Sequence, residues 1–155
     1  PSIRIACMVL PMGLLGQYQA VFGSYANTVS RFEQQTLCRF LSQGHFTRHL
    51  SRMRNVYRGR MTALAEALEG AFGREDIVLQ GRHTGLHLLL TLKDGPGEEA
   101  MVRAARQEGV ALRGLSQYYM EDRASCPENT VVLGYGSLRD EDIPALAEAL
   151  KRAWT

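Results

Sequence analysis

Apolar positions along the chain fall into separable patterns. Ile3–Leu10 is short, almost continuously apolar and stopped by Pro11, which predicts a buried strand with Arg4 as its only charge. A helix is expected from about Leu14 to Ser24, although Gly13, Gly16 and Gly23 weaken it by roughly 1 kcal/mol each at interior positions. Ser24–Ser30 reads as a break. Ser30 and Glu33 have capping-box spacing, and Leu37, Phe40 and Leu41 follow on one face of a second helix that should stop at Gly44. The clearest periodicity comes next. Phe46, Leu50, Met53, Tyr57, Met61, Leu64, Leu68 and Phe72 are spaced 4, 3, 4, 4, 3, 4 and 4, one stripe of a long amphipathic helix interrupted only by Gly59. At ~1.5 Å per residue it spans about 40 Å, and Gly70 and Gly73 supply its stop.

Beyond Gly73 the texture changes. Asp76–Gln80 and Leu86–Leu92 have strand patterning, with Gly81 and Gly85 between them and Lys93–Gly97 as a turn. Helix is predicted from about Glu98 to Glu108, closed by Gly109, then a short strand over Val110–Arg113. Glu121–Asn129 is polar and irregular, a loop. Thr130–Tyr135 returns to strand, and Ile143, Leu146, Leu150 and Trp154 line a last helix led in by Asp140 and Asp142, with Pro144 in its first turn. The order β-β-α-β-β-α predicts an α/β chain whose residues 73–155 form a small α+β domain, a mostly antiparallel sheet with helices on one face. No internal repeat or low-complexity tract is present.

Composition narrows the class. At 155 residues the chain is about one domain long, and 45% hydrophobic with 22% charged residues excludes a disordered or collagen-like polymer. A formal charge of +2 is not that of a polycation. No apolar run suggests a membrane span or a secretory signal. Cys7, Cys38 and Cys126 are scattered and odd in number, which suits a reducing cytoplasm better than a disulfide framework or a zinc site. The chain opens at Pro1 directly into an apolar run, so it is expected to be a piece of something larger.

Candidate chemistry is sparse. Between Gln34 and Ala65 there is no Asp or Glu, while Arg39, Arg48, Arg52, Arg54, Arg58 and Arg60 fall inside. Arg48/Arg52 and Arg54/Arg58 are like-charge i, i+4 pairs on the solvent side, mildly destabilising in isolation, so a solvated or domain-facing basic surface is the better reading and a nucleic-acid backbone the lesser. His45 and His49 have a metal-compatible spacing but no third ligand nearby. His87 reads as a core histidine. No phosphate loop and no nucleophile elbow occur, so no catalytic set is visible. Arg4 in a buried strand needs a partner, either a structural carboxylate or a phosphate-like anion held bidentately.

Several of these segments together resemble a known family. Pro1-Ser2-Ile3-Arg4-Ile5-Ala6-Cys7-Met8-Val9-Leu10-Pro11 resembles the segment just after the cofactor lysine in fold-type I, pyridoxal-phosphate-dependent aminotransferases. Glu33 through Leu41, Gly44-His45-Phe46, His49-Leu50, Arg52-Met53-Arg54 and Tyr57-Arg58 to Arg60 are similar to the aminotransferase-like domain of MocR-type, GntR-family transcription regulators. Gly85-Leu86-His87, Ser116-Gln117-Tyr118-Tyr119 and Leu133-Gly134-Tyr135 follow in the family's order.

The resemblance implies a winged helix-turn-helix DNA-binding domain, absent here, ahead of a large cofactor-holding domain and a small one. Residues 1–45 would be the tail of the large domain, 46–72 the bridging helix and 73–155 the small domain. Arg4 matches the arginine on the cofactor phosphate. The cofactor lysine and the aspartate on the pyridine nitrogen would lie upstream of Pro1, so this piece alone does no cofactor chemistry. Where such aminotransferases place an arginine for the substrate carboxylate this chain has Val132, which leaves Arg113 as a candidate substitute. Arg139 stands where a capping Ser or Thr is usual. The resemblance thus implies the C-terminal effector and oligomerisation part of a cytoplasmic, homodimeric, pyridoxal-phosphate-binding regulator responding to an amino-acid-like effector. The enzyme alternative is the C-terminal part of a true aminotransferase, and a free-standing binding module ranks last. Phe22, Phe32 and Phe40 should need apolar partners from outside this chain.

Overall fold

The computed structural model describes residues 4–83, 85–120 and 125–155. The chain divides into two compact units, Pro1–Ser51 and Arg52–Thr155. In the first, α1 (Met12–Phe22) and α2 (Arg31–Ser42) are followed by the opening turns of α3 (His45–Phe72). The capping box forms: the Glu33 amide donates to Ser30 Oγ at 3.2 Å and the Ser30 amide to Glu33 Oε2 at 3.3 Å. Gly44 takes a φ of +73° between α2 and α3, a conformation that disfavours any side chain.

The strand expected over Ile3–Leu10 does not form in its described part. Residues 4–10 are irregular and mostly exposed, and Arg4 is exposed rather than buried. A strand exists only as part of a ladder, and no described segment pairs with this one. Ile3 lies outside the described residues.

In the second unit, β1 (Ile77–Gln80), β2 (His87–Leu92), β3 (Arg113–Gly114) and β4 (Thr130–Gly134) form one sheet in the order β1-β2-β4-β3, every pair antiparallel. Strand alternation sends Leu88, Leu90, Val131 and Leu133 to one face. There they meet Leu64, Leu68 and Phe72 of α3, Met101 and Ala105 of α4 (Glu98–Gln107), and Ile143, Leu150 and Trp154 of α5 (Ile143–Trp154) in a single core. The predicted stripe on α3 is therefore real, and its burial deepens toward the C-terminus. The Trp154 indole N–H donates to the Met101 carbonyl at 2.9 Å, so the ring is buried without an orphaned donor.

The second correction concerns β3, expected over Val110–Arg113 but found at Arg113–Gly114. Val110 closes α4 instead: its amide bonds the Ala105 carbonyl at 2.9 Å and that of Gly109 (φ +78°) bonds Arg106 at 3.1 Å, a Schellman motif. Val110 and Leu112 then pack on the core rather than join the ladder. Nearby, Glu98 Oε2 accepts the Ser116 amide at 2.8 Å and Oε1 its hydroxyl at 2.5 Å. A Cβ on Gly114 would run into that carboxylate, which would have to give way. Of the loop expected over Glu121–Asn129, residues 121–124 lie outside the described ones.

Candidate functional site

The sheet has one face under helices and one open. Register decides which residues share the open face. Arg113 on β3 is the cross-strand partner of Val132 on β4, so their side chains leave the sheet on the same side. Val132 is half-buried, whereas Arg113 is exposed and makes no ion pair with a described residue. The guanidinium expected as a substitute thus stands beside Val132, its cross-strand partner. His87 pairs with Gly134 at the other end of the same face. It is exposed, not the core histidine expected, because it opens β2 and its odd-numbered face is the uncovered one. Thr91 and Thr130 share a hydroxyl–hydroxyl hydrogen bond of 2.8 Å.

A second concavity lies in the same unit. An open cleft of about 670 Å³ is lined by Arg54, Tyr57, Arg58 and Met61 of α3, by Arg82, His83 and Gly85 between β1 and β2, and by Tyr135 after β4. Three segments that are far apart in sequence, and that carry the family resemblance, meet here. Tyr135 is buried, and its hydroxyl donates to the Gly85 carbonyl at 2.9 Å; burial raises its pKa, so the phenol stays neutral. Arg82 is bonded to Glu69, which also accepts from Arg74 at 2.9 Å. The Arg82 hydrogen bond is the main cause that holds the Glu69 carboxyl below its ordinary range, outweighing a desolvation effect of opposite sign. Arg60, just below the cleft, is taken by Asp140 Oδ1 at 2.9 Å and the Gly136 carbonyl at 3.0 Å. Sequence reading gave no role to Arg82, Glu69 or Tyr135 Oη; the Gly81–Gly85 bracket around Arg82-His83 was the available signal.

The remaining candidates are placed as follows. Arg4 lies in the N-terminal unit, exposed and without an ion pair to a described residue. The sequence has two lysines, Lys93 in the turn after β2 and Lys151 on α5, 5.1 Å over the Phe72 ring. Neither belongs to the segment around Arg4. Arg48 Nη2 is 2.9 Å from His45 Nδ1, which places a cation against the ring that a metal would use. No group of three potential metal ligands occurs among the described residues. Burial, and then the Glu98 charge, raise the Cys126 pKa, so its thiol is a poor nucleophile. No helix among the described residues is long and apolar enough to cross a membrane.

This antiparallel four-stranded unit matches the C-terminal part of aminotransferase structures. The chain matches the structure of LysN, the α-aminoadipate aminotransferase of Thermus thermophilus complexed with N-(5'-phosphopyridoxyl)-L-leucine, with a TM-score of 0.73, 27% identity, 93% of this chain and 36% of that one covered. In sequence it is 36% identical over 154 residues to the uncharacterised HTH-type transcriptional regulator YhdI of Bacillus subtilis strain 168, covering 99% of this chain and 32% of the relative. It is 27% identical to the probable rhizopine catabolism regulatory protein MocR of Rhizobium meliloti, covering 99% and 30%. No protein-family model matches. The chain is the C-terminal part of an aminotransferase-like domain whose relatives are MocR-type regulators, up to 36% identical, and aminotransferases such as LysN at 27%. It spans about a third of the length of these relatives.

Proposed function

We propose that this chain is the effector-binding and oligomerisation part of a pyridoxal-phosphate-binding transcription regulator. The observation that carries the reading is the Val132–Arg113 pair. Val132 stands where the resemblance places a carboxylate-binding arginine, and Arg113, which makes no ion pair with a described residue, is its partner on the neighbouring strand. A sensor needs to hold an amino-acid carboxylate, not to orient it for turnover, and tolerates that displacement. The higher identity to the regulator YhdI, 36%, than to LysN, 27%, points the same way. Arg4 contributes a bidentate contact to the cofactor phosphate, and Arg113 takes the effector carboxylate. When bound, pyridoxal phosphate supplies an electrophilic carbonyl for amines. The exposed Met12, Val21, Phe22 and Phe32 side chains of α1 and α2 are the surface that the upstream domain or a second subunit covers. DNA is bound by a separate winged-helix domain, and the whole protein is a cytoplasmic homodimer.

The alternative, a true aminotransferase, is favoured by the match to LysN. The two separate on the intact protein loaded with pyridoxal phosphate. Titration with the twenty amino acids, read by cofactor absorbance and by operator binding, should give a saturable response that Arg113→Gln weakens about tenfold or more, the loss of one charge-assisted contact. Turnover at ordinary aminotransferase rates, indifferent to Arg113→Gln, would establish the enzyme instead.

A further inference from the structure

The cleft around Arg58 has no part in the reading above, and neither Arg4 nor Arg113 lines it. Its chemistry is one-sided. Arg54 and Arg58 stand one turn apart on α3, and neither makes an ion pair with a described residue. Their neighbours are engaged: Arg60 by Asp140 and the Gly136 carbonyl, Arg82 by Glu69. Two like charges at i, i+4 repel, and an anion held between them would remove that penalty. Thr62 and His83 add two more hydrogen-bonding groups, while Tyr57, Met61 and the buried Tyr135 ring give the cleft apolar walls. A volume of about 670 Å³ is that of a small-molecule pocket rather than of an extended track for a nucleic-acid backbone.

We propose that this cleft binds a small phosphate-bearing anion, with Arg54 and Arg58 forking onto its oxygens and Thr62 and His83 completing the shell. Phosphate suits the pair better than a single carboxylate. A carboxylate's acceptor sites lie in one plane, whereas a phosphate offers three oxygens in a tetrahedral array that two forks can meet from different directions.

The test is calorimetric titration of the intact protein with inorganic phosphate and with pyrophosphate, at ionic strength matched by chloride. Saturable binding at one site per chain is expected, tighter for pyrophosphate. Arg54→Gln and Arg58→Gln should each weaken it about tenfold, whereas Arg106→Gln on α4 should leave it unchanged. Arg58→Lys keeps the charge but not the fork, so an intermediate loss with a native circular-dichroism spectrum is expected; should the glutamine variants fail to fold, this variant decides. Three results would overturn the proposal. One is no saturable binding at matched ionic strength. Another is binding lost in Arg4→Gln yet kept in Arg54→Gln and Arg58→Gln, which would assign the anion to the cofactor phosphate contact. The last is a short DNA duplex that binds through Arg54 and Arg58 where pyrophosphate does not.

Discussion

The two units of this chain are built from similar proportions of apolar residues but use them differently. In Arg52–Thr155 the large side chains converge: Leu64, Leu68, Leu88, Leu90, Met101, Val131 and Leu150 are each 1% exposed or less. In Pro1–Ser51 they do not. Neither α1 nor α2 buries a single residue, and Val9, Met12 and Phe32 are more than 80% exposed. Each fully buried Leu or Phe stabilises by about 1.5–3 kcal/mol, so the second unit carries its own core while the first withholds its contribution until something covers it. A helix such as α2, with an intact capping box and an apolar face open to water, has its local signals satisfied and its tertiary ones waiting.

The sharpest way to break this comparison is to truncate one apolar side chain in each unit. Leu90→Ala leaves a cavity at the centre of the sheet and should cost about 2–5 kcal/mol, read as a fall in the urea midpoint at constant slope. Phe32→Ala in the same 155-residue chain should fall within about 0.5 kcal/mol of the parent, because its ring is already 81% exposed. In the intact protein the Phe32→Ala penalty should rise to the scale of a core substitution. Equal penalties in the short and intact forms would mean that nothing covers α2.

How much of this was legible in the sequence follows the same division. Periodicity found α3, α4 and α5, and the order β-β-α-β-β-α, because those elements bury the face that their pattern advertises within this chain, whereas α2 was legible from its Ser30/Glu33 capping box, a local signal that needs no burial. Ile3–Leu10 failed as a strand because a strand is defined by its neighbour, and no pairing partner is present among the described residues. The β3 shift was a contest between two uses of Val110. The hydrogen bonds that close α4 after Gly109 took its backbone, and no propensity scale sees that competition. At the candidate site, Arg113 was legible only through the missing arginine at Val132; their pairing needed the register. The cleft was not legible at all. Arg54, Gly85 and Tyr135 each stood in a recognisable segment, but only the sheet brings the start of β2 and the end of β4 beside α3.

A smaller effect tests the close approach of α4 to β3. What opposes a side chain at Gly114 is the Glu98 carboxylate rather than its own backbone, whose φ of −69° suits any residue. Gly114→Ala should push Glu98 aside and break its two hydrogen bonds with Ser116, a loss of about 1.5–3 kcal/mol for bonds to a charged acceptor. The double variant with Glu98→Ala should recover part of that loss, since it removes the obstacle along with the bonds. A double variant worse than the sum of the two singles would show that backbone, not the carboxylate, sets the limit. Within the core unit this places a local packing defect below a central cavity in cost.

The smallest effect is expected from acid. Glu69 on α3, 15% exposed, ties that helix to Arg82 ahead of β2 and to Arg74, with a folded-state pKa below its ordinary value. A carboxylate depressed in the folded state adds stability that is complete above its unfolded value, near 4.5, and is lost as the pH falls through the lower folded value. Stability measured by urea unfolding should therefore decline below about pH 4.5, and Glu69→Gln should flatten the part of that slope that Glu69 supplies while lowering the neutral-pH plateau. Arg82→Gln should flatten the slope more than Arg74→Gln does, since the Arg82 hydrogen bond is the larger cause. An acid slope unchanged in all three variants would show that this ion pair is held too loosely in solution to couple α3 to the sheet.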